Sequence, residues 1–280
     1  MTSRSSDVIP AQAGIPFLDV AQDRLEFLDV PARRTGLPEL LLLHEGLGSV
    51  SMWRDFPQAL AAATGCRTIA YSRRGFGRSS PRSAPYTPRF MHEEALATIP
   101  ELRERLAVAR PVLVGHSTGA SMALVHAGAG RWEVAGVVAM APLAFVENSN
   151  LDTIRAARHT YESTDWREKL ARHHDDVDAV FRGWYDIWLD PGFRAWNIAR
   201  DIAGVRCPIL AIRGEDDPYS SAAQVEAIAK NASAAARVEV LSLDKCGHSP
   251  HREQPETVIA AIGRFVASTG GNPEEGRFER

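Results

Sequence analysis

Lysine is nearly missing from this chain: 29 of its 32 basic residues are arginine, and they are scattered rather than clustered. Set against 35 acidic residues, they leave a formal net charge of −3 and a pI near 6.3. That balance excludes a broadly basic nucleic-acid face. Cysteine is scarce as well. Cys66, Cys207 and Cys246 make an odd count with no CxxC pair. Neither a disulfide framework nor a Cys-ligated zinc site is expected, and a reducing, cytoplasmic setting follows. No apolar run reaches 18 residues, so no transmembrane helix and no membrane partner are expected. The prolines in Val8–Pro16 break any signal-peptide core. There is no internal repeat.

What is present suits an ordinary globular core. A chain of 280 residues, 45% of them hydrophobic, buries roughly 75% of its unfolded surface. Short apolar runs alternate with helix-length segments. The runs are Glu39–His44, Arg67–Ser72, Pro111–His116, Val134–Ala141, Cys207–Arg213 and Arg237–Leu243. Continuous rather than alternating apolar runs suit strands buried on both faces of a parallel sheet. The helical segments are Met52–Thr64, Arg89–Ala107, Ser117–Ala129, Ser221–Ala232 and Pro255–Ala267. Arg24–Val30 alternates and suits an antiparallel edge hairpin. The expected fold is α/β: a mostly parallel sheet flanked by helices, with right-handed crossovers.

The rhythm breaks once. From 143 to 204 there is no convincing strand, the composition is helical and charged, and four of the six tryptophans fall there. The expected organisation is a flexible leader at 1–16, a core at 17–142 and 205–268, a helical cap at 143–204 and a disordered tail at 269–280.

Four loops carry chemistry. Gly115-His116-Ser117-Thr118-Gly119 follows an apolar strand and precedes an Ala-rich helix. Chance yields G-x-S-x-G about 0.1 times in such a chain, so the position matters more than the pattern. Small residues at 115 and 119 permit a tight turn that exposes Ser117 above a helix N-terminus, which favours developing negative charge. The bland alternative is a plain glycine-rich turn. Cys246-Gly247-His248-Ser249-Pro250-His251 follows the last strand and reaches the same sheet edge. His248, after a glycine, is the better base, although a loop histidine alone is ordinarily just solvated. Gly214-Glu215-Asp216-Asp217-Pro218 follows the penultimate strand; Asp216 and Asp217 compete to orient that histidine, and either could simply cap a turn. His44-Glu45-Gly46-Leu47-Gly48 can aim backbone N–H groups at an oxyanion. It lacks the Lys-Ser/Thr ending of a P-loop and the third glycine of a dinucleotide site.

Together these loops resemble an α/β-hydrolase of the capped, cofactor-free kind, from about Phe17 to Ala267. The segment Ser72-Arg73-Arg74-Gly75-Phe76-Gly77-Arg78-Ser79 belongs to the likeness. The order Ser, acid, His along the chain is the one this family uses. The resemblance implies Ser117 as nucleophile, His248 as base, Asp217 as acid, and the N–H groups of Leu47 and Thr118 as oxyanion donors. Two departures stand out. Ser72 replaces a frequent Asp, and Glu45 stands where a His-Gly pair is common. A serine nucleophile counts against haloalkane dehalogenase chemistry.

The leading expectation is a serine hydrolase cleaving a carboxylic ester or related acyl compound (EC 3.1.1) through an acyl-enzyme. The alternatives are a C–C bond hydrolase of ring-cleavage diketones, a thioesterase, a lactonase or a perhydrolase. A different class is a catalytically idle ligand-binding member of the fold. Phe181, Trp184, Tyr185 and Trp188 form one helical stripe. Packing is the simpler reading of that stripe, and a pocket wall containing Trp184 and Trp188, with Glu45 nearby, is the sharper one. His173-His174-Asp175-Asp176 looks like a metal cluster only in composition, because adjacent helical positions do not share a face. No metal or cofactor is expected. The expected partner is a small-molecule substrate, and the oligomeric state is left open.

Overall fold

The computed structural model describes residues 16–269. Apart from Pro16 and Thr269, the expected leader and tail lie outside the described residues. Eight strands form one sheet: β1 Phe17–Val20, β2 Asp23–Val30, β3 Leu40–Leu43, β4 Thr68–Tyr71, β5 Val112–His116, β6 Gly136–Met140, β7 Ile209–Gly214 and β8 Val238–Leu243. Their order is β1-β2-β4-β3-β5-β6-β7-β8. β1 and β2 form an antiparallel hairpin that joins β4 antiparallel. All remaining pairs are parallel.

The continuous apolar runs follow from layering. Successive side chains of a strand point to opposite faces. Leu40, Leu42, Val112, Val114, Val138 and Ile212 share one core with the helices α1 Phe56–Thr64 and α11 Pro255–Thr269. Leu41, Leu43, Leu113, Val137 and Ala139 share the other. That second face is covered by α2 Phe90–Glu93, α3 Ile99–Arg105, α4 Thr118–Gly128, α8 Ala199–Gly204 and α9 Ala222–Asn231. Both faces are dry, so both parities must be apolar.

β8 departs from that expectation. It ends the sheet, and Val240 is 48% exposed. An edge strand has a partner on one side only, so its apolar run is not buried on both faces. The helix expected over Met52–Thr64 is divided: Val50–Trp53 forms a 3-10 turn, Arg54 takes a positive φ of 55°, and α1 starts at Phe56 with Pro57 in its first turn. The helix expected from Ser117 begins at Thr118.

Residues 143–204 contain no named strand. They form α5 Asn148–Ser163, α6 Trp166–Ala171, α7 Val177–Leu189 and α8. An isolated antiparallel bridge, Phe145 to Asn197, pinches the base of this insertion. A short helix, α10 Pro250–Glu253, precedes α11. Among the described residues, no helix is long and apolar enough to cross a membrane.

Candidate active site

Ser117 sits between β5 and α4 with φ 53° and ψ −119°. A non-glycine residue there is strained, and such strain persists only where its surroundings enforce it. The enforcement is visible on both sides. A Cβ at Gly115 would collide with Ala120 and the Gly119 carbonyl, and one at Gly119 would collide with the carbonyl of Leu43 on β3. The elbow therefore fits only glycine at both places. Ser117 is 6% exposed and opens into a cavity at the carboxyl ends of the strands.

His248 lines the same cavity. Its Nδ1 lies 2.9 Å from Asp217 Oδ1 and 2.8 Å from Oδ2. The Asp217 side chain is fully buried. Its Oδ1 also accepts from the N–H groups of Tyr219, at 2.8 Å, and Ser220, at 3.1 Å. Those bonds orient the carboxylate, and the carboxylate leaves Nε2 of His248 free to act on another group. Of the two competing acids, Asp217 is the one bonded to His248, while Asp216 is exposed. His251 is buried and packs its ring against Trp53 and Phe56. Burial, with His116 beside it, holds His251 well below the usual imidazole range.

The loop at 44–48 is a turn closed by Gly48 N–H donating to the Glu45 carbonyl at 3.2 Å. The buried Arg73 guanidinium donates to the carbonyls of His44 and Glu45. His44 Nδ1 donates to the Glu45 carbonyl at 2.8 Å, and His44 Nε2 accepts from the N–H of Arg73 at 3.1 Å. Burial, reinforced by Arg73, keeps His44 well below its usual pKa. The carbonyls of His44 and Glu45 are thus occupied. Among the described residues, the N–H groups of Leu47 and Thr118 have no acceptor, which is what an oxyanion donor requires.

Glu45 lines the cavity. Its Oε2 is 3.5 Å from His116 Nδ1, and its side chain is 23% exposed. Burial pushes its pKa up, but the neighbouring His116 ring outweighs that and holds the carboxyl well below the usual range.

The cavity measures about 150 Å³. Leu47, Met52, Leu143, Ile154, Trp184 and Trp188 make up much of its wall, and no lysine or arginine lines it among the described residues. The aromatic stripe on α7 divides. Trp184 and Trp188 reach the cavity, whereas Phe181 stacks on Tyr161 at 3.8 Å and on Tyr185 at 5.9 Å within the insertion. The residues 173–176 diverge. His173 meets Ser51, His174 meets Leu47 and Gly77, Asp175 pairs with Arg78, and Asp176 caps α7.

Several residues of the site carry no local sequence signal. Ser72 Oγ donates to the buried Glu26 at 2.6 Å and accepts from the N–H of Val50 at 2.8 Å. Glu26, on β2, thereby places a buried carboxylate beside Ser72. His116 and His174 carry no such signal either.

A strained serine elbow at the carboxyl edge of a mostly parallel sheet shares a cavity with a His–Asp pair. The model of the alpha/beta hydrolase family matches residues 40–261, and the chain belongs to that family. In sequence it is similar to a proline iminopeptidase of Lactobacillus helveticus, 33% identical over 98 residues. That match covers 35% of this chain and 33% of the relative, so the chain spans about a third of the length of the curated relatives it matches. In structure it is similar to the enol-lactonase from Burkholderia xenovorans LB400, at 20% identity and a TM-score of 0.68, over 90% of this chain and 100% of that one. It is also similar to a carboxylesterase of the thaumarchaeon Nitrososphaera gargenis, at 19% identity and a TM-score of 0.70, over 91% and 98% of the two chains. At such identities the structural matches speak for the fold alone.

Proposed function

We propose that this alpha/beta hydrolase is a serine hydrolase that cleaves a small, neutral carboxylic ester or related acyl compound through an acyl-enzyme. The observation that carries the reading is the 2.8 Å contact of His248 Nδ1 with a fully buried Asp217, in a cavity that also contains the strained Ser117. In this reading His248 Nε2 takes the Ser117 hydroxyl proton as Oγ attacks the acyl carbon. The tetrahedral oxyanion accepts from the N–H groups of Leu47 and Thr118, each worth about 3 kcal/mol in the transition state. Collapse breaks the bond to the leaving group, which receives the proton from His248. Water then attacks the acyl-enzyme by the reverse sequence, and Asp217 holds the imidazole and stabilises its cation throughout.

The cavity narrows the substrate. About 150 Å³ suits an apolar group near the size of benzene. A wall that offers Glu45 and no lysine or arginine disfavours an anionic group beside the reacting carbonyl. Trp184 and Trp188 belong to a helical cap, residues 143–204, that sets which acyl chain fits. Three free cysteines are consistent with a reducing, cytoplasmic setting.

The match to a proline iminopeptidase supports a second reading, a peptidase of prolyl bonds. One experiment separates the candidates. The purified protein is labelled with a fluorophosphonate and assayed on neutral aryl esters, a lactone, an acyl-CoA thioester, a ring-cleavage diketone and a prolyl anilide. The proposal expects labelling at Ser117 and the highest kcat/KM on a short neutral ester. A folded protein that takes no label would identify an idle member of the family. Best turnover of the anilide or the diketone would replace the ester reading.

A further inference from the structure

We propose that His174, carried by the helical insertion, is a positioning residue that holds the 44–48 loop in its reactive geometry. The inference rests on the reading of Leu47 as an oxyanion donor. His174 lies in the turn between α6 and α7 and is only 6% exposed. Its Nε2 is 2.8 Å from the Leu47 carbonyl oxygen. A carbonyl only accepts, so Nε2 carries the proton. Nδ1 is then a lone-pair acceptor, and it receives the N–H of Gly77 at 2.9 Å. One neutral ring thus ties residue 47 to residue 77 across 127 and 97 positions of sequence. Burial keeps the ring below the usual imidazole range, with His173 and Arg73 adding to it and the Leu47 carbonyl and Glu45 opposing it.

The anchor at Gly77 is firm. Asp175 N–H donates to the Gly77 carbonyl at 3.0 Å, so the insertion engages both backbone groups of that residue. Gly77 has a φ of 58°, and a Cβ there would run into Glu26 and Ser72. Against this anchor His174 holds the Leu47 carbonyl. Arg73 holds the carbonyls of His44 and Glu45 from the sheet side. Gly46 and Leu47 are the two central residues of the turn between these restraints. Holding the Leu47–Gly48 peptide restrains the backbone on both sides of Leu47, and through it the direction of the Leu47 N–H. A catalytic donor off target by about 1 Å costs roughly 100-fold in rate. The cap therefore does more than wall the pocket: it sets the geometry of the hole.

Two substitutions each keep one arm of the ring. Gln reaches the position of Nε2 and can donate to Leu47. Asn reaches the position of Nδ1 and can accept from Gly77. With a short neutral aryl ester as substrate, His174→Asn should lose about 10- to 100-fold in kcat, below the 100- to 1,000-fold of a deleted donor, with KM within about twofold. His174→Gln should recover kcat to within about threefold of the wild type, and the two variants should melt within a few degrees of each other. If both keep wild-type kcat, or both lose it together in step with melting temperature, His174 merely docks the insertion. A folded wild type without turnover of any acyl substrate would overturn the hydrolase reading and the role of Leu47 with it. Wild-type turnover with an unimpaired His174→Asn would overturn the role of His174 alone.

Discussion

His116 Nε2 donates to the carbonyl oxygen of His248 at 2.6 Å, so the residue before the elbow serine anchors the loop that carries the candidate base. Nδ1 of the same ring faces Glu45 Oε2 at 3.5 Å. The chain Glu45, His116, His248 joins three loops of the site, and His116 is 1% exposed. Glu45→Gln removes the charge that orients the ring. At 3.5 Å this is a charge contact rather than a hydrogen bond, and a partly exposed contact of that kind contributes about 1 kcal/mol, equivalent to about 3 °C in Tm at this size. Thermal unfolding and ester kinetics together should show that drop with a fall in kcat of about 10-fold. Unchanged Tm and unchanged kcat would mean that Glu45 is a bystander.

The acid can be tested by a pair of neighbours. Asp217→Asn should cost about 10⁴-fold in kcat, because the amide favours the wrong imidazole tautomer. Asp216 is exposed and donates only its backbone N–H, to the Cys246 carbonyl at 2.9 Å. Asp216→Asn should change kcat by less than about threefold. Side-by-side kinetics with the order of the two losses reversed would reassign the acid.

The aromatics of the 143–204 insertion should act on selectivity. Trp184→Ala and Trp188→Ala enlarge the cavity wall, and one methylene in an apolar pocket shifts selectivity by about 10- to 200-fold. Relative kcat/KM across an ester chain-length series should move toward longer acyl groups, more for Trp184. Trp188 also packs edge-on against Phe193 at 5.1 Å, so its removal should lower Tm as well. A uniform fall across all chain lengths would make both residues packing alone.

Acid should destabilise the fold through its buried imidazoles. His44, His126, His174 and His251 are all held below the usual range, chiefly by burial, with His126 lowered to about 4. Their charged forms are disfavoured when folded, and the unfolded chain takes up protons near pH 6.5. Between pH 6.5 and 4 the unfolded state binds more protons, so stability is complete above that window and falls as pH drops through it. His126 alone accounts for about 3 kcal/mol across the full window. Urea midpoints should fall steadily from pH 7 to pH 5; a flat profile would contradict the neutral burial of these rings.

The parallel core was legible because burial on both faces leaves no polar parity in β3, β5 and β6. The same logic failed at β8, where Glu239 and Ser242 interrupt the apolar residues and the strand lies at an edge. The elbow was legible because its sterics are local: Gly115, Ser117 and Gly119 meet within one turn. The residues alone left Asp216 and Asp217 open, because they are adjacent; the spacing from Gly214 in the family resemblance pointed to Asp217, the one bonded to His248. His174 and Glu26 act across 127 and 46 residues of chain, and no local pattern records such closures.

The central claim is that Ser117 is the nucleophile, and its replacement by alanine is the most direct test. Steady-state turnover of the best ester should fall by about 10⁴-fold or more in kcat, with urea unfolding unchanged, since only a hydroxyl is lost from a residue that keeps its backbone restraints. A purified Ser117→Ala protein that still turns over the ester at near the wild-type rate would contradict the account.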